Sequence, residues 1–229
     1  MKGRIILLFF LTLVAAVNCN TINSLEGDFS LTVRDKSGIN TSAGKIYFFN
    51  DNLFLVVEKP IKQMVIYSGN RLTVYYPLEE KATVMKKDSS FTLPVFTLFL
   101  RAAEGIDSFS EMGMKFIRKE KEEGSSIYIF TDKQKNKLKH FFQYDTKGKL
   151  ISIISKKKKK TVSKTVFSSY KKGRNFLTPL RIEVFGRYRD IMVKSKDFIL
   201  SDISINTDIP HSIKNFRLPE GTEIEEFEL

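Results

Sequence analysis

Residues 44–76 read GKIYFFNDNLFLVVEKPIKQMVIYSGNRLTVYY, and this stretch decides the fold class. It consists of short apolar and aromatic runs separated by turn signals at Asn50–Asn52, Lys59–Pro60 and Ser68–Asn70. Short runs bounded by Asn, Gly and Pro are typical of antiparallel strands that are joined by tight turns. The stretch therefore predicts consecutive β-strands that form a meander.

The same pattern extends to both sides of this stretch. Phe29, Leu31 and Val33 alternate with polar residues, as expected for a strand with one buried face. Further runs occupy residues 112–118, 126–131, 139–144, 150–155, 161–170, 180–185, 190–194 and 198–205. No linker rich in Pro, Gly or Ser divides these runs. About a dozen closely spaced strands predict a single mainly β domain with few helices, built as one meandering sheet, a sandwich or a barrel.

Residues 91–103, FTLPVFTLFLRAA, give the clearest helical pattern in the chain. Phe96, Phe99, Leu100 and Ala103 fall on one face of a helix with 3.6 residues per turn. The helix is apolar nearly all round. Two interpretations remain open at this point: a core helix that plugs the sheet, or an apolar lid over a cavity.

The N-terminal residues 1–19 are predicted to be a cleaved signal peptide, which leaves residues 20–229 as one domain. Lys2 and Arg4 precede an apolar segment of 13 residues that is too short to span a membrane as a mature helix. Cys19 lies where cleavage is expected. It is either removed with the signal peptide, retained as a free thiol, or lipidated as the first residue of a membrane-anchored lipoprotein.

The composition disfavours most enzymes. The 229 residues include one cysteine and two histidines, which leaves little material for metal sites, disulfides or histidine-based catalysis. No phosphate-binding glycine loop, nucleophile elbow or zinc-binding motif occurs. His140 lies in a predicted strand and is interpreted as structural. We expect a protein with no catalytic residues, no metal and no cofactor.

Two charged segments stand out. Lys156–Lys160 is a run of five lysines, and residues 220–229 contain five glutamates, within a chain of net charge +12. The lysine run is interpreted either as a solvated hairpin edge, which also discourages aggregation of the sheet, or as a contact for anionic lipid headgroups or an acidic partner. Nucleic acid is not an expected partner of an exported chain.

The order of these segments resembles the periplasmic outer-membrane lipoprotein carrier family, the LolA-like proteins. The resemblance rests on Gly44–Phe49, Val65–Gly69, Leu72–Pro77 and the apolar segment Leu93–Ala103, and it continues at Pro179–Glu183, Leu200–Asn206 and Phe216–Ile224. It implies a single curved antiparallel sheet that forms an unclosed β-barrel, with short helices as a lid or plug. It also implies an apolar hollow that holds the acyl chains of lipoproteins.

From this resemblance and the strand alternation we expect a lipid-binding surface with ten members. These are Phe29, Leu31, Phe48, Phe54, Val56, Val74, Tyr76, Phe96, Phe99 and Leu100. The expected function is that of a monomeric periplasmic chaperone that carries lipoproteins from an inner-membrane ABC-type release complex to the outer membrane, where an acceptor protein is a further expected partner. Two alternatives keep the same fold: an acceptor tethered to the membrane through Cys19, similar to LolB, and a module that binds a regulator of envelope stress.

Overall fold

The computed structural model describes residues 22–35, 38–86, 100, 109, 113–132, 138–172, 177–188 and 191–228. The predicted signal peptide and most of the predicted helix 91–103 lie outside the described residues, including Phe96 and Phe99. Leu100 is described, and it is helical and buried. None of the helices within the described ranges is long and apolar enough to cross a membrane.

Fourteen strands of the described chain join in one sheet. They are β1 (Ser24–Asp35), β2 (Gly38–Phe49), β3 (Asn52–Lys59), β4 (Gln63–Ser68), β5 (Arg71–Tyr76), β6 (Lys81–Lys86), β7 (Met114–Glu122), β8 (Ser125–Asp132), β9 (Leu138–Asp145), β10 (Leu150–Lys157), β11 (Lys160–Lys172), β12 (Leu177–Tyr188), β13 (Ile191–Ile205) and β14 (Glu223–Glu228). A helix, α1 (His211–Lys214), lies between β13 and β14.

The sheet consists of two meanders that meet in its middle. The strand order is β14-β6-β5-β4-β3-β2-β1-β13-β12-β11-β10-β9-β8-β7, so the pairing of β1 with β13 joins the first meander to the second. The outermost strands β14 and β7 do not pair with each other, which leaves the curved sheet unclosed. The prediction of one large, mainly β sheet is therefore confirmed.

Three details differ from the sequence-based expectation. Residues 190–194 and 198–205 were expected as two runs, but the structure places them in the single strand β13. The glutamate-rich tail was not expected to be a strand, yet it forms β14. Moreover, β14 is parallel to its neighbour β6, whereas all other neighbouring strands are antiparallel. That residues 91–103 form a helix that acts as a lid or a plug stays a prediction.

The turn between β2 and β3 explains the register of these two strands. Asn50 and Asp51 connect β2 to β3 with φ angles of 48° and 60°. A two-residue turn with positive φ at both positions matches the right-handed twist of the strands, and Asn and Asp tolerate this conformation. The turn brings Phe48 opposite Leu53 and Phe49 opposite Asn52.

One face of the sheet, which we call the inner face, carries the main hydrophobic core. The buried residues of this core come from both meanders, for example Phe29 and Ile46 from the first and Phe142 and Ile182 from the second. Leu100 and Phe109, from the connection between β6 and β7, pack onto the same core. The Phe109 ring lies 4.3 Å from that of Phe142, centroid to centroid.

The opposite face, which we call the outer face, is covered in the first meander by the C-terminal segment 209–216. Ile209 and Ile213 of this segment are buried against Phe54 in a second, smaller hydrophobic cluster. The ring of Phe216 lies 6.0 Å from that of Tyr75. The chain thus uses its own C-terminal segment to cover this part of the outer face.

Candidate functional site

On the inner face, apolar side chains extend beyond the buried core. A set of half-buried apolar side chains packs against the core while remaining partly accessible to solvent. In the first meander this set comprises Leu31, Phe48, Leu55, Val65 and Tyr67. Apolar side chains in this position can contact a guest molecule because one side of each is not covered by protein.

Strand register aligns these side chains into rows. Leu55 of β3 lies opposite Val65 of β4, which in turn lies opposite Val74 of β5. Directly paired residues of antiparallel strands point to the same face. A second row places Tyr67 next to Leu53, with Phe48 on the far side of Leu53. Together with the buried Leu53, these half-buried residues form a continuous apolar strip across β2 to β5.

The ten residues predicted to bind lipid do not all lie on one face. Phe29, Leu31 and Phe48 belong to or pack against the inner core, and Leu100 is buried in it. Val74 lies on the inner face because it pairs with Val65 of β4, and Tyr76, two residues further along β5, points to the same face.

Phe54 and Val56, by contrast, lie on the outer face in contact with the cluster of the C-terminal segment. Phe54 is 8% exposed and stacks on Phe49. The C-terminal segment 209–216 thus covers the surface around these two residues. Their role in lipid binding stays a prediction.

Sequence reasoning missed Leu55, Val65 and Tyr67. Residues 53–57 read LFLVV, so β3 is apolar on both faces and its pattern does not reveal which residues point inward. The register with β2 resolves this point, because Ile46 and Phe48 of the inner core pair with Leu55 and Leu53.

Two tyrosines of the second meander introduce hydroxyl groups into the inner face. Tyr170 donates a hydrogen bond to the carbonyl of Leu150. Tyr144 is 8% exposed, and its buried hydroxyl has no hydrogen-bond partner within the described chain. Burial raises the pKa of both phenols well above its usual value, so both hydroxyls are protonated at neutral pH.

The outer face of the second meander is charged. Arg181 of β12 makes two hydrogen bonds to Asp197 of β13, at 3.0 Å from Nε and 2.8 Å from Nη2. Lys194 contacts both Asp197 and Glu183, at 3.0 Å and 2.8 Å. Hydrogen bonds from Arg181 hold the pKa of the Asp197 carboxyl below its usual range, although burial opposes the shift. These groups neutralise one another.

The residues that the structure describes contain no group of His, Cys, Asp and Glu side chains able to hold a metal ion. His140 Nδ1 lies 2.9 Å from the Ser155 hydroxyl in the neighbouring strand. This contact is consistent with the structural role that the sequence analysis assigned to His140. The apolar inner strip is therefore the surface best suited to binding.

Comparison with known proteins agrees with this architecture. The family model for the outer membrane lipoprotein carrier protein LolA matches residues 20–171. No curated protein sequence matches the chain.

Several solved structures share the fold. An outer membrane lipoprotein-sorting protein domain from Vibrio parahaemolyticus superimposes with a TM-score of 0.59 and 11% identity, over 84% of this chain and 89% of that one. A LolA superfamily protein from Nitrosomonas europaea gives 0.57 and 11%, over 84% and 90%. A DUF1329 family protein from Desulfovibrio piger gives 0.56 and 16%, over 84% and 89%. At these identities the likeness concerns the fold alone.

Proposed function

This chain belongs to the LolA family of outer membrane lipoprotein carrier proteins, and on that premise we propose that its inner apolar strip binds the acyl chains of lipoproteins. Proteins of this family are periplasmic carriers and not enzymes. In the proposed role the protein takes lipoproteins from an inner-membrane ABC-type release complex and carries them as a monomer to the outer membrane.

The observation that carries this proposal is the row of half-buried apolar residues Leu55, Val65 and Val74 on the inner face. Exposing a 16-carbon acyl chain to water costs on the order of 12 kcal/mol, at about 0.8 kcal/mol per methylene. A strip of aliphatic and aromatic side chains reduces this cost by contact alone, without covalent chemistry. Polar neighbours would have to lose their hydration to accept the same guest.

The outer face of the first meander is a poorer candidate for the same guest. Ile209 and Ile213 bury Phe54, and Phe216 contacts Tyr75. A guest on this face would have to displace the C-terminal segment. Leu100 and Phe109 also pack on the inner face, but Leu55, Val65 and Val74 stay half-buried there, which is why we assign the acyl chains to it.

Two valines allow a matched test of this assignment. Val65 and Val56 are both half-buried strand residues, but Val65 lies on the inner face and Val56 on the outer face. We expect Val65→Gln to weaken binding of a fluorescent 16-carbon fatty acid by roughly tenfold, because the amide would be buried without a partner. Val56→Gln should bind like the unmodified protein.

The measurement is a fluorescence titration of the delipidated protein, with thermal unfolding of both variants as a control for folding. Loss of binding in Val56→Gln alone would transfer the site to the outer face. The carrier role itself is tested by mixing the delipidated protein with a purified triacylated lipoprotein in detergent and then removing the detergent. Appearance of a soluble complex is expected, whereas its failure would favour a module that binds a regulator protein.

A further inference from the structure

The two ends of the sheet carry turns of different composition. Because neighbouring strands alternate in direction, the turns after β1, β3, β5, β10 and β12 lie at one end of the sheet, which we call the basic end. The turns after β2, β4, β7 and β9 lie at the opposite end. The turns lie outside the hydrophobic core, so packing of the core does not require the turns at the two ends to differ in composition.

Large aliphatic side chains project from the basic end. Each of four turns there contains, or is flanked by, one strongly exposed residue: Ile39 at 67%, Ile61 at 58%, Leu78 at 79% and Ile191 at 64%. The described turns at the opposite end are polar and read Asn50–Asp51, Gly69–Asn70, Glu123–Gly124 and Thr146–Gly148. Scattered exposed aliphatic residues are ordinary, but their concentration at one end marks an interaction surface.

The start of β13 reinforces this asymmetry. Ile191, Met192 and Val193 are consecutive and all exposed. Successive strand residues point to opposite faces, so neither face of the strand is covered here. The strand projects beyond its pairing with β1, whose register ends at Val33 opposite Lys196.

The lysine run lies at the same end. Lys157–Lys160 form the β10–β11 turn, two to three strands from β13 or about 10–14 Å at ~4.8 Å per strand. Among the described residues, none of these four lysines has a carboxylate within 4 Å, whereas Lys45, Lys81 and Lys86 each pair with an aspartate or a glutamate. The β10–β11 turn therefore presents positive charge without a paired carboxylate at the same end as the exposed aliphatic side chains, although the β5–β6 turn there also carries Glu79 and Glu80.

We propose that the basic end docks on the surface of an anionic phospholipid bilayer. Lysines near a membrane are attracted to anionic headgroups, and aliphatic side chains that protrude between them can enter the interfacial region. A protein partner is less well matched, since protein interfaces are depleted in Lys and enriched in Tyr, Trp and Arg. This docking surface goes beyond the carrier proposal, because it involves neither the inner strip nor its cargo.

Sedimentation with vesicles tests the charge requirement. The mature protein is expected to bind vesicles of phosphatidylcholine with 30% phosphatidylglycerol. It should bind vesicles of phosphatidylcholine alone at least about a hundredfold more weakly, as three or more lysine contacts imply at about fivefold each. Replacing Lys157, Lys159 and Lys160 with Gln should weaken binding to the anionic vesicles by about a hundredfold, at about fivefold per lysine. Lys158 is left unchanged because its φ of 56° makes substitution there less neutral.

The matched control replaces Lys121, Lys147 and Lys172, three exposed lysines at the opposite end of the sheet, with Gln. It removes the same net charge, and it should weaken binding by less than about fivefold. Equal losses in the two triple variants would overturn the proposal, since net charge alone would then explain the attraction. Failure to bind anionic vesicles, with retention on a poly-glutamate resin, would instead favour an acidic protein partner.

Insertion of the aliphatic side chains into the bilayer can be measured independently by tryptophan fluorescence. The chain contains no tryptophan, so an introduced one is the only source of this signal. Ile191→Trp places a single fluorophore at the basic end, and its emission should shift to the blue when anionic vesicles are added. Phe227→Trp places one on the exposed acidic strand β14 as a control, and its emission should not change. A blue shift in the control alone, or in neither variant, would contradict docking through the basic end.

Discussion

Gly44 of β2 lies so close to the backbone carbonyl of Val56 in β3 that the pair leaves no room for a β-carbon. A β-carbon built on Gly44 would overlap the Val56 oxygen and lie 3.0 Å from the Glu58 amide nitrogen. The register of β2 against β3 shifts at this same point, between Ala43 and Gly44. Glycine is therefore required here by the approach of two backbones.

Replacing Gly44 with Ala should lower the free energy of unfolding by about 2 kcal/mol, because the strands must separate to accept the methyl group. Gly186→Ala is the matched control, since the nearest atom to a β-carbon there is Ser195 Oγ at 4.0 Å. This control should be neutral or slightly stabilising. Urea denaturation of both variants provides the measurement, and equal stabilities would contradict the prediction.

Replacement of Tyr144 or Tyr170 on the inner face with Phe should change the free energy of unfolding in opposite directions. Tyr144→Phe removes a buried hydroxyl that has no hydrogen-bond partner among the residues that the structure describes, so it should raise the free energy of unfolding by about 1 kcal/mol. Tyr170→Phe removes a hydrogen bond to the Leu150 carbonyl and should lower it by about 1 kcal/mol. Thermal unfolding measures both, and a loss of stability in Tyr144→Phe would indicate that its hydroxyl is satisfied in solution.

The Arg181–Asp197 pair predicts a dependence of stability on acid. Because the pKa of Asp197 is lowered in the folded state, its contribution is present above the pKa of an unfolded aspartate, about 3.9, and is lost as the pH falls through the folded value. Asp197→Asn should therefore be less stable than the unmodified protein at pH 7, and the difference should shrink below about pH 4.

The control for this measurement is Asp28→Asn. Asp28 pairs at 2.8 Å with Lys45, and both side chains are largely exposed. Such surface pairs contribute little to stability. Denaturation at pH 7 should show only a small loss of stability for this variant. For Asp197→Asn, a difference in stability that stays constant over a series of pH values would contradict the assignment.

The state of the N-terminus follows from the proposed role as a freely diffusing carrier. We expect mass spectrometry of the protein isolated from the periplasm to show cleavage near Cys19 and no acyl group. A diacylated or triacylated Cys19 would exclude the free carrier and support a membrane-tethered acceptor. Cys19 lies outside the residues that the structure describes, so only this measurement separates the two roles.

Local chemistry accounts for the parts of the fold that the sequence predicts well. The turn at Asn50–Asp51 depends on two residues that tolerate positive φ, and the strands beside it depend on their own β-branched and aromatic residues. For the same reason the large mainly β sheet was predictable, because each neighbouring pair within a meander is joined by a short connection. The sequence predicts two runs in place of β13 because the polar residues Ser195, Lys196 and Asp197 interrupt its apolar pattern. In the structure Asp197 pairs with Arg181 and Lys196 is exposed.

The sequence alone determined most of the strands within the two meanders and how successive strands follow one another, because these depend on contacts between residues that are close along the chain. Only the tertiary structure decided which side of β3 faces the core, that the glutamate-rich tail pairs with β6, and that Lys157–Lys160 share one end of the sheet with Ile39 and Ile191. In each case the deciding contacts join residues far apart along the chain. When both faces of a strand are apolar, the sequence pattern does not show which face points to the core.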